Sequence, residues 1–167
     1  EMAVVEMGAN AQGEIAGLSR IAEPDAGLIT NIGDAHLEGF GGRAGVQRGK
    51  GELYRFLQAH GRPIFCWWDQ AELRALAGDY QPCIRYGSDE GVQVRGRDLP
   101  DTGPFAGLQV ELPGGAEPLS LHSKLIGAHN RSNLLAAAAV GWHYGVPGPE
   151  MEAAIAGYQP GNQRSEW

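Results

Sequence analysis

Glu6, His36 and Lys50 are the three side chains in the first 50 residues whose types and settings suit chemistry. Glu6 follows the apolar run Ala3-Val4-Val5 and precedes Met7-Gly8-Ala9-Asn10. His36 closes Thr30-Asn31-Ile32-Gly33-Asp34-Ala35-His36, after a second apolar run. Lys50 lies in Arg48-Gly49-Lys50-Gly51-Glu52-Leu53. A carboxylate and an imidazole together suit a divalent metal, and such a metal suits phosphates. Two of them also have a plainer role: Glu6 as a loop or helix cap, His36 as a packed or surface histidine. Lys50 and Lys124 are the only lysines among 13 lysine and arginine residues, which singles Lys50 out only a little. Asn10 and Asn31 stand near the same positions, where asparagine commonly satisfies a turn.

The elements that must position these residues follow from hydrophobic spacing. Ala3 to Met7 reads as a buried strand, and Glu14 to Ile21 as a helix with Ile15, Leu18 and Ile21 on one side. Pro24 stops that helix, and residues 26–32 form the next strand. A helix over 46–57 follows, with Lys50 at its head. A strand over 63–67 comes next, then Asp69 as N-cap of a helix over 70–76, then a strand over 84–86. This order predicts an α/β fold, a mostly parallel sheet flanked by helices, in which ligands collect at the carboxyl ends of strands. Glu6 and His36 both fall at such ends. From Gly87 to Leu125 the chain is rich in glycine and proline, with alternation at 92–94, 108–110 and 119–121, so a small antiparallel β insertion is expected over 87–125. Asn130 to Tyr144 reads as a strong helix, and Pro149 opens another running to about Gly157.

Composition sets the outer bounds. With 167 residues, 43% hydrophobic and 20% charged, the chain suits one soluble domain with a real core. No apolar run is long enough to span a bilayer. A net charge of -7 argues against non-specific nucleic-acid binding, since phosphates would be repelled. Cys66 and Cys83 show no CxxC spacing, and no charged leader precedes an apolar stretch, so a reducing, cytoplasmic setting is expected. Both ends look abrupt, which suggests a fragment.

Four blocks, in order, resemble the Mur ligase family. They are Glu6-Met7-Gly8-Ala9-Asn10 with Gly13-Glu14-Ile15; Ile29-Thr30-Asn31-Ile32-Gly33 with Ala35-His36-Leu37-Glu38-Gly39-Phe40-Gly41; Lys50-Gly51-Glu52-Leu53; and Gly127-Ala128-His129-Asn130 with Asn133 and Leu135-Ala136-Ala137. The first block resembles the branch that joins D-alanyl-D-alanine to UDP-N-acetylmuramoyl-tripeptide in peptidoglycan precursor synthesis. The resemblance implies an ATP-dependent amide ligase that makes the tripeptide carboxylate an acyl phosphate, which the dipeptide amine then attacks. It implies magnesium, with Glu6 holding one ion near the β- and γ-phosphates and His36 helping to hold a second. Lys50 matches a lysine that the family carbamylates, turning a cation into an anionic oxygen ligand.

The same resemblance places Asn130 and Asn133 on adenine. They stand one helical turn apart, and an amide offers both donor and acceptor to the ring edge. Capping the alanine-rich helix is the plainer alternative. Arg164, in Gln163-Arg164-Ser165-Glu166, resembles an arginine that closes the domain and reaches the nucleotide, although Gln163 stands where the family usually has glycine.

No GxxxxGK[ST] phosphate loop is present, since Gly49-Lys50 is followed by Gly51 and Ala44 stands where the first glycine belongs. The resemblance therefore implies that residues 1–167 are part of a central ATP-binding domain. Its phosphate loop and UDP-binding domain would lie upstream and a C-terminal domain downstream, in a monomeric parent enzyme. The fragment alone is expected not to turn over ATP. The rivals are another Mur ligase, a folylpolyglutamate synthetase, or a non-catalytic nucleotide-binding module that kept the fold.

Overall fold

Two glycines on one helix decide how the first part of the chain packs. Helix α3 (Arg43–Ala59) buries Gly45 and Gly49 on the face that also carries Val46, Tyr54 and Leu57. A Cβ on Gly45 would stand 1.7 Å from the Phe40 carbonyl oxygen, and one on Gly49 would stand 2.4 Å from the Phe40 ring. The bare face thus lets the short helix α2 (Leu37–Phe40) seat Phe40 against α3. The Tyr54 hydroxyl donates to the Phe65 carbonyl oxygen (2.6 Å), tying α3 to a strand below it.

The computed structural model describes residues 2–33, 37–115 and 117–159. The chain divides into two compact units, residues 1–83 and 84–167. In the first, α1 (Glu14–Ala22), α2, α3 and α4 (Ala71–Ala77) accompany strands β1 (Gly27–Leu28) and β2 (Ile64–Trp67). β1 and β2 run parallel, in register Gly27 to Ile64 and Leu28 to Phe65. Ile29, Ile32, Phe40, Val46, Tyr54, Leu57, Ile64 and Leu73 form its core.

In the second unit β3 (Cys83–Gly87), which starts at the boundary, pairs parallel with β4 (Val94–Asp98). Strands β4, β5 (Phe105–Glu111) and β6 (Leu119–Ile126) then form an antiparallel meander. Helix α5 (Asn130–His143) lays Leu134, Leu135, Ala138 and Ala139 inward, and α6 (Gly148–Gly157) is held to β6 where the Ser120 amide donates to the Glu152 carboxylate (2.6 Å).

The α/β class, with parallel pairing first and an antiparallel meander after it, is therefore the observed fold. Helices 14–21, 130–144 and 149–157 and strands 63–67 and 84–86 were readable to within a residue or two. Four details differ. Ala3 to Met7 is not a strand: among the described residues nothing pairs with it, and Val4 is 92% exposed. The strand read over 26–32 stops at Leu28; beyond it Lys50 takes the Asn31 carbonyl oxygen and Gln70 both backbone groups of Ile32. α3 begins at Arg43 behind Gly42, so Lys50 lies about two turns inside the helix and not at its head. The N-cap of α4 is Gln70; Asp69 instead accepts from the Trp67 indole (3.3 Å).

The seating of Phe40 sets an expected outcome. Alanine at a helical glycine ordinarily gains about 0.5–1 kcal/mol, whereas overpacking a filled contact costs about 1–3 kcal/mol. At Gly45 the obstacle is a backbone carbonyl that no rotamer can move, so the second effect wins. Gly45→Ala should lower the urea midpoint with the m-value unchanged; a raised midpoint would show that α2 does not sit on α3.

Candidate functional site

Lys50 reaches from α3 to the loop after β1, where its Nζ donates to the Asn31 carbonyl oxygen at 2.8 Å. The side chain is half-buried, and desolvation holds its pKa below the ordinary lysine value of 10.5. A larger share of its amine is therefore neutral, and nucleophilic, at a given pH than in a solvated lysine. The loop itself is fixed from the far side. The Ile32 N–H donates to Gln70 Oε1 (2.8 Å), and Gln70 Nε2 donates back to the Ile32 carbonyl oxygen (2.9 Å). That oxygen also accepts from Arg43 Nη2 (3.4 Å), and Arg43 bonds the Glu72 carboxylate through the same nitrogen (2.8 Å) and through Nε (3.1 Å).

Two residues beyond Lys50, Glu52 points to the other side and holds the start of α1. Its carboxylate accepts from the Gly13 N–H (2.6 Å) and the Ala16 N–H (2.9 Å). Gly13, the N-cap, has φ +91° and no side chain with which to cap the helix itself. Glu52 supplies the missing acceptor from another helix and also faces the positive end of the α1 dipole. Glu14 reaches back in the same turn to the N–H groups of Asn10 (2.8 Å) and Ala11 (3.3 Å). Gln12 donates to the Phe40 carbonyl oxygen (3.2 Å) and accepts from Arg48 Nε (3.4 Å). The segment 8–14 is thus stitched to α2 and α3 by Gln12, Arg48 and Glu52, and tied to itself by Glu14.

The site residues expected from the sequence fall in both units. Lys50 lies in the network just described, and Glu6 leads into the stitched segment, exposed and outside any helix or strand. His36 and Arg164 lie outside the described residues. In the second unit Asn130 is only 7% exposed. Its amide donates to the Ile126 carbonyl oxygen (2.9 Å) and lies 3.2 Å from His129 Nε2, which anchors the start of α5 to the end of β6. Asn133, one turn on, is exposed and donates to Asn130 Oδ1 at 3.4 Å. The amide pair does share a surface, but Asn130 is turned inward by its own bonds while Asn133 faces out. Gln70 and the capping role of Glu52 were not read from sequence, because their partners lie 36 to 39 residues away and no local signal marks them.

Residues 1–141 match the family model described as the Mur ligase middle domain. The chain belongs to the Mur ligase family. Among curated relatives of this Mur ligase domain, the UDP-N-acetylmuramoyl-tripeptide--D-alanyl-D-alanine ligase of Haemophilus influenzae is 33% identical over 161 residues, covering 92% of the chain and 33% of the relative. The UDP-N-acetylmuramate--L-alanine ligase of Xanthomonas axonopodis pv. citri is 37% identical over 135 residues, covering 79% of the chain and 28% of the relative. The chain thus spans about a third of the length of the curated relatives it matches. Among solved structures, MurF from Acinetobacter baumannii superposes with TM-score 0.74 at 32% identity, over 93% of this chain and 34% of that one.

Glu6 offers an exposed carboxylate of the kind a hard divalent cation takes, whereas Lys50 as an ammonium would repel such an ion. As a carbamate it would present anionic oxygens instead. A half-buried amine with a lowered pKa is the chemical prerequisite for that change. Among the described residues no three His, Cys, Asp or Glu side chains gather closely enough to hold a metal by themselves. Nor, among them, is any helix long and apolar enough to cross a membrane.

Two outcomes follow from the network. Glu52→Ala should destabilise the protein by about 1–2 kcal/mol, the usual loss for a helix cap, with Glu52→Gln losing less because it keeps an acceptor; equal stability of all three forms in urea would remove Glu52 as the cap. The bond to Arg43 holds the Glu72 pKa below the ordinary glutamate value. Because the unfolded chain binds that proton more readily, the stabilisation is complete above the unfolded pKa and is lost as pH falls through the folded one. Glu72→Gln should therefore lower Tm at neutral pH and converge with the unsubstituted protein below about pH 4, the ordinary glutamate range. A constant gap across that range would contradict it.

Proposed function

We propose that the chain is the middle domain of an ATP-dependent amide ligase that joins D-alanyl-D-alanine to UDP-N-acetylmuramoyl-tripeptide in peptidoglycan precursor synthesis. The observation that carries the reading is the stitched segment 8–14. The residues that resemble this branch, Gly8-Ala9-Asn10 and Gly13-Glu14-Ile15, are joined to each other where Glu14 accepts from the Asn10 N–H, and Glu52 of α3 holds Gly13 while Gln12 between them reaches Phe40 of α2. The 33% identity to the Haemophilus influenzae ligase over most of the chain supports it.

In this reading the γ-phosphoryl group of ATP passes to the tripeptide carboxylate, leaving ADP and an acyl phosphate. The dipeptide amine attacks that carbonyl carbon, and the tetrahedral intermediate expels inorganic phosphate as the amide forms. Magnesium supplies charge neutralisation when bound, since several anionic groups must approach one another. Glu6, His36 and carbamylated Lys50 are the residues of this chain that would hold it. Asn133 presents an exposed amide suited to the adenine edge, and Asn130 orients it through the bond between the two side chains. Arg164 would contact the nucleotide. The phosphate cradle, the UDP-binding domain and a C-terminal domain belong to the rest of a cytoplasmic, monomeric parent, so residues 1–167 alone are not expected to turn over ATP.

The 37% identity to the L-alanine-adding relative favours a second reading, in which the acceptor is a single amino acid. Phosphate release by the full-length parent separates the two. With ATP and magnesium, release should require both UDP-N-acetylmuramoyl-tripeptide and D-alanyl-D-alanine, and should fall on the order of 10²-fold or more in Lys50→Ala. Release with UDP-N-acetylmuramate and L-alanine would move the protein to the sister branch. A folded parent silent with every acceptor would leave a nucleotide-binding module.

A further inference from the structure

We propose that Gln70 is a positioning residue for the ligase reaction, acting on Lys50 through a single peptide plane; the proposal rests on the ligase reading above. The peptide between Asn31 and Ile32 offers its oxygen on one side and its N–H on the other, as a planar trans peptide must. The oxygen accepts from Lys50 Nζ (2.8 Å), and the N–H donates to Gln70 Oε1 (2.8 Å). Gln70 completes the clamp by donating to the next carbonyl, that of Ile32 (2.9 Å). One amide side chain thus takes both backbone groups of Ile32, as a neighbouring strand would.

The setting makes this clamp directional. Ile32 is 1% exposed, so its N–H would have no ready substitute in water, and a peptide that rotated would leave a buried donor unpaired. Arg43, which donates to the Ile32 oxygen, has no acceptor atom and so cannot replace Gln70 at the N–H. Among the described residues, Lys50 and Gln70 are the side chains bonded to the two ends of this peptide. Gln70 therefore aims the oxygen against which the Lys50 amine is set. It is also the residue that leads α4 out of β2, so strand and helix are joined to the site at this point.

Substitution in the full-length parent tests the inference. Gln70→Met keeps length and packing but loses both hydrogen bonds, whereas Gln70→Glu keeps an acceptor for the Ile32 N–H. Gln58→Met is the control, since Gln58 makes a comparable side-chain bond to the Leu76 carbonyl (3.2 Å) without touching the Lys50 loop. A shift of an ångström at a reacting group can cost about 10²-fold. Gln70→Met should therefore lower kcat by about 10- to 100-fold with KM for ATP little changed, Gln70→Glu should recover most of the loss, and Gln58→Met should keep kcat. If the methionine variant does not fold, Gln70→Ala takes its place. Retention of kcat in Gln70→Met, failure of Gln70→Glu to recover it, or an equal loss in Gln58→Met would each overturn the proposal. An unsubstituted parent without turnover would instead sink the ligase reading itself, so the two failures are told apart.

Discussion

The first unit depends on α3 sending two oppositely charged side chains, two residues apart, to two different loops. Lys50 holds the loop after β1, and Glu52 holds the start of α1. Successive even positions on a helix point about 200° apart, so one rigid rod reaches both places at once. Each bond is charge-assisted on one side, which makes it stronger than an ordinary amide pair. On the same rod Gly45 and Gly49 leave room for Phe40, so α2 is seated by it as well.

What was legible in the sequence was what short-range spacing encodes. The helix at 14–21 announced itself by Ile15, Leu18 and Ile21, and the meander by its alternating segments between turns. What escaped was carried by long-range bonds. Gln70 reads as the first residue of a helix behind Asp69, and no neighbour in sequence hints that its amide closes on Ile32. At the far end of the segment read as a strand over 26–32, a side chain thus takes the backbone groups that a ladder would. Ala3 to Met7 failed for the opposite reason. Its pattern is right for a strand, but a strand exists only when another pairs with it.

For the site, residue types were readable and circumstances were not. Lys50 was singled out by its motif, yet its half-burial and its carbonyl partner are properties of the fold. Glu52 was visible only as part of a matching string, and its task emerged from the geometry. Asn130 and Asn133 share a face, as one-turn spacing requires, but the structure divides their labour between anchoring and display. Sequence likeness narrows function in the same partial way. Relatives that add D-alanyl-D-alanine and relatives that add L-alanine match at similar identity, because a middle domain serves both.

The Glu52 cap has a consequence for where a nucleotide's phosphates can go. Free helix N-termini attract anions, because their first amides are unpaired and the dipole is positive there. At α1 that vacancy is already taken by a carboxylate of the protein itself, with Gly13 and Ala16 as its donors. A phosphate arriving at this end would meet a resident negative charge and amides already in use. The start of α1 is therefore a poor place for a further anion, because Glu52 already supplies the negative charge that its dipole favours.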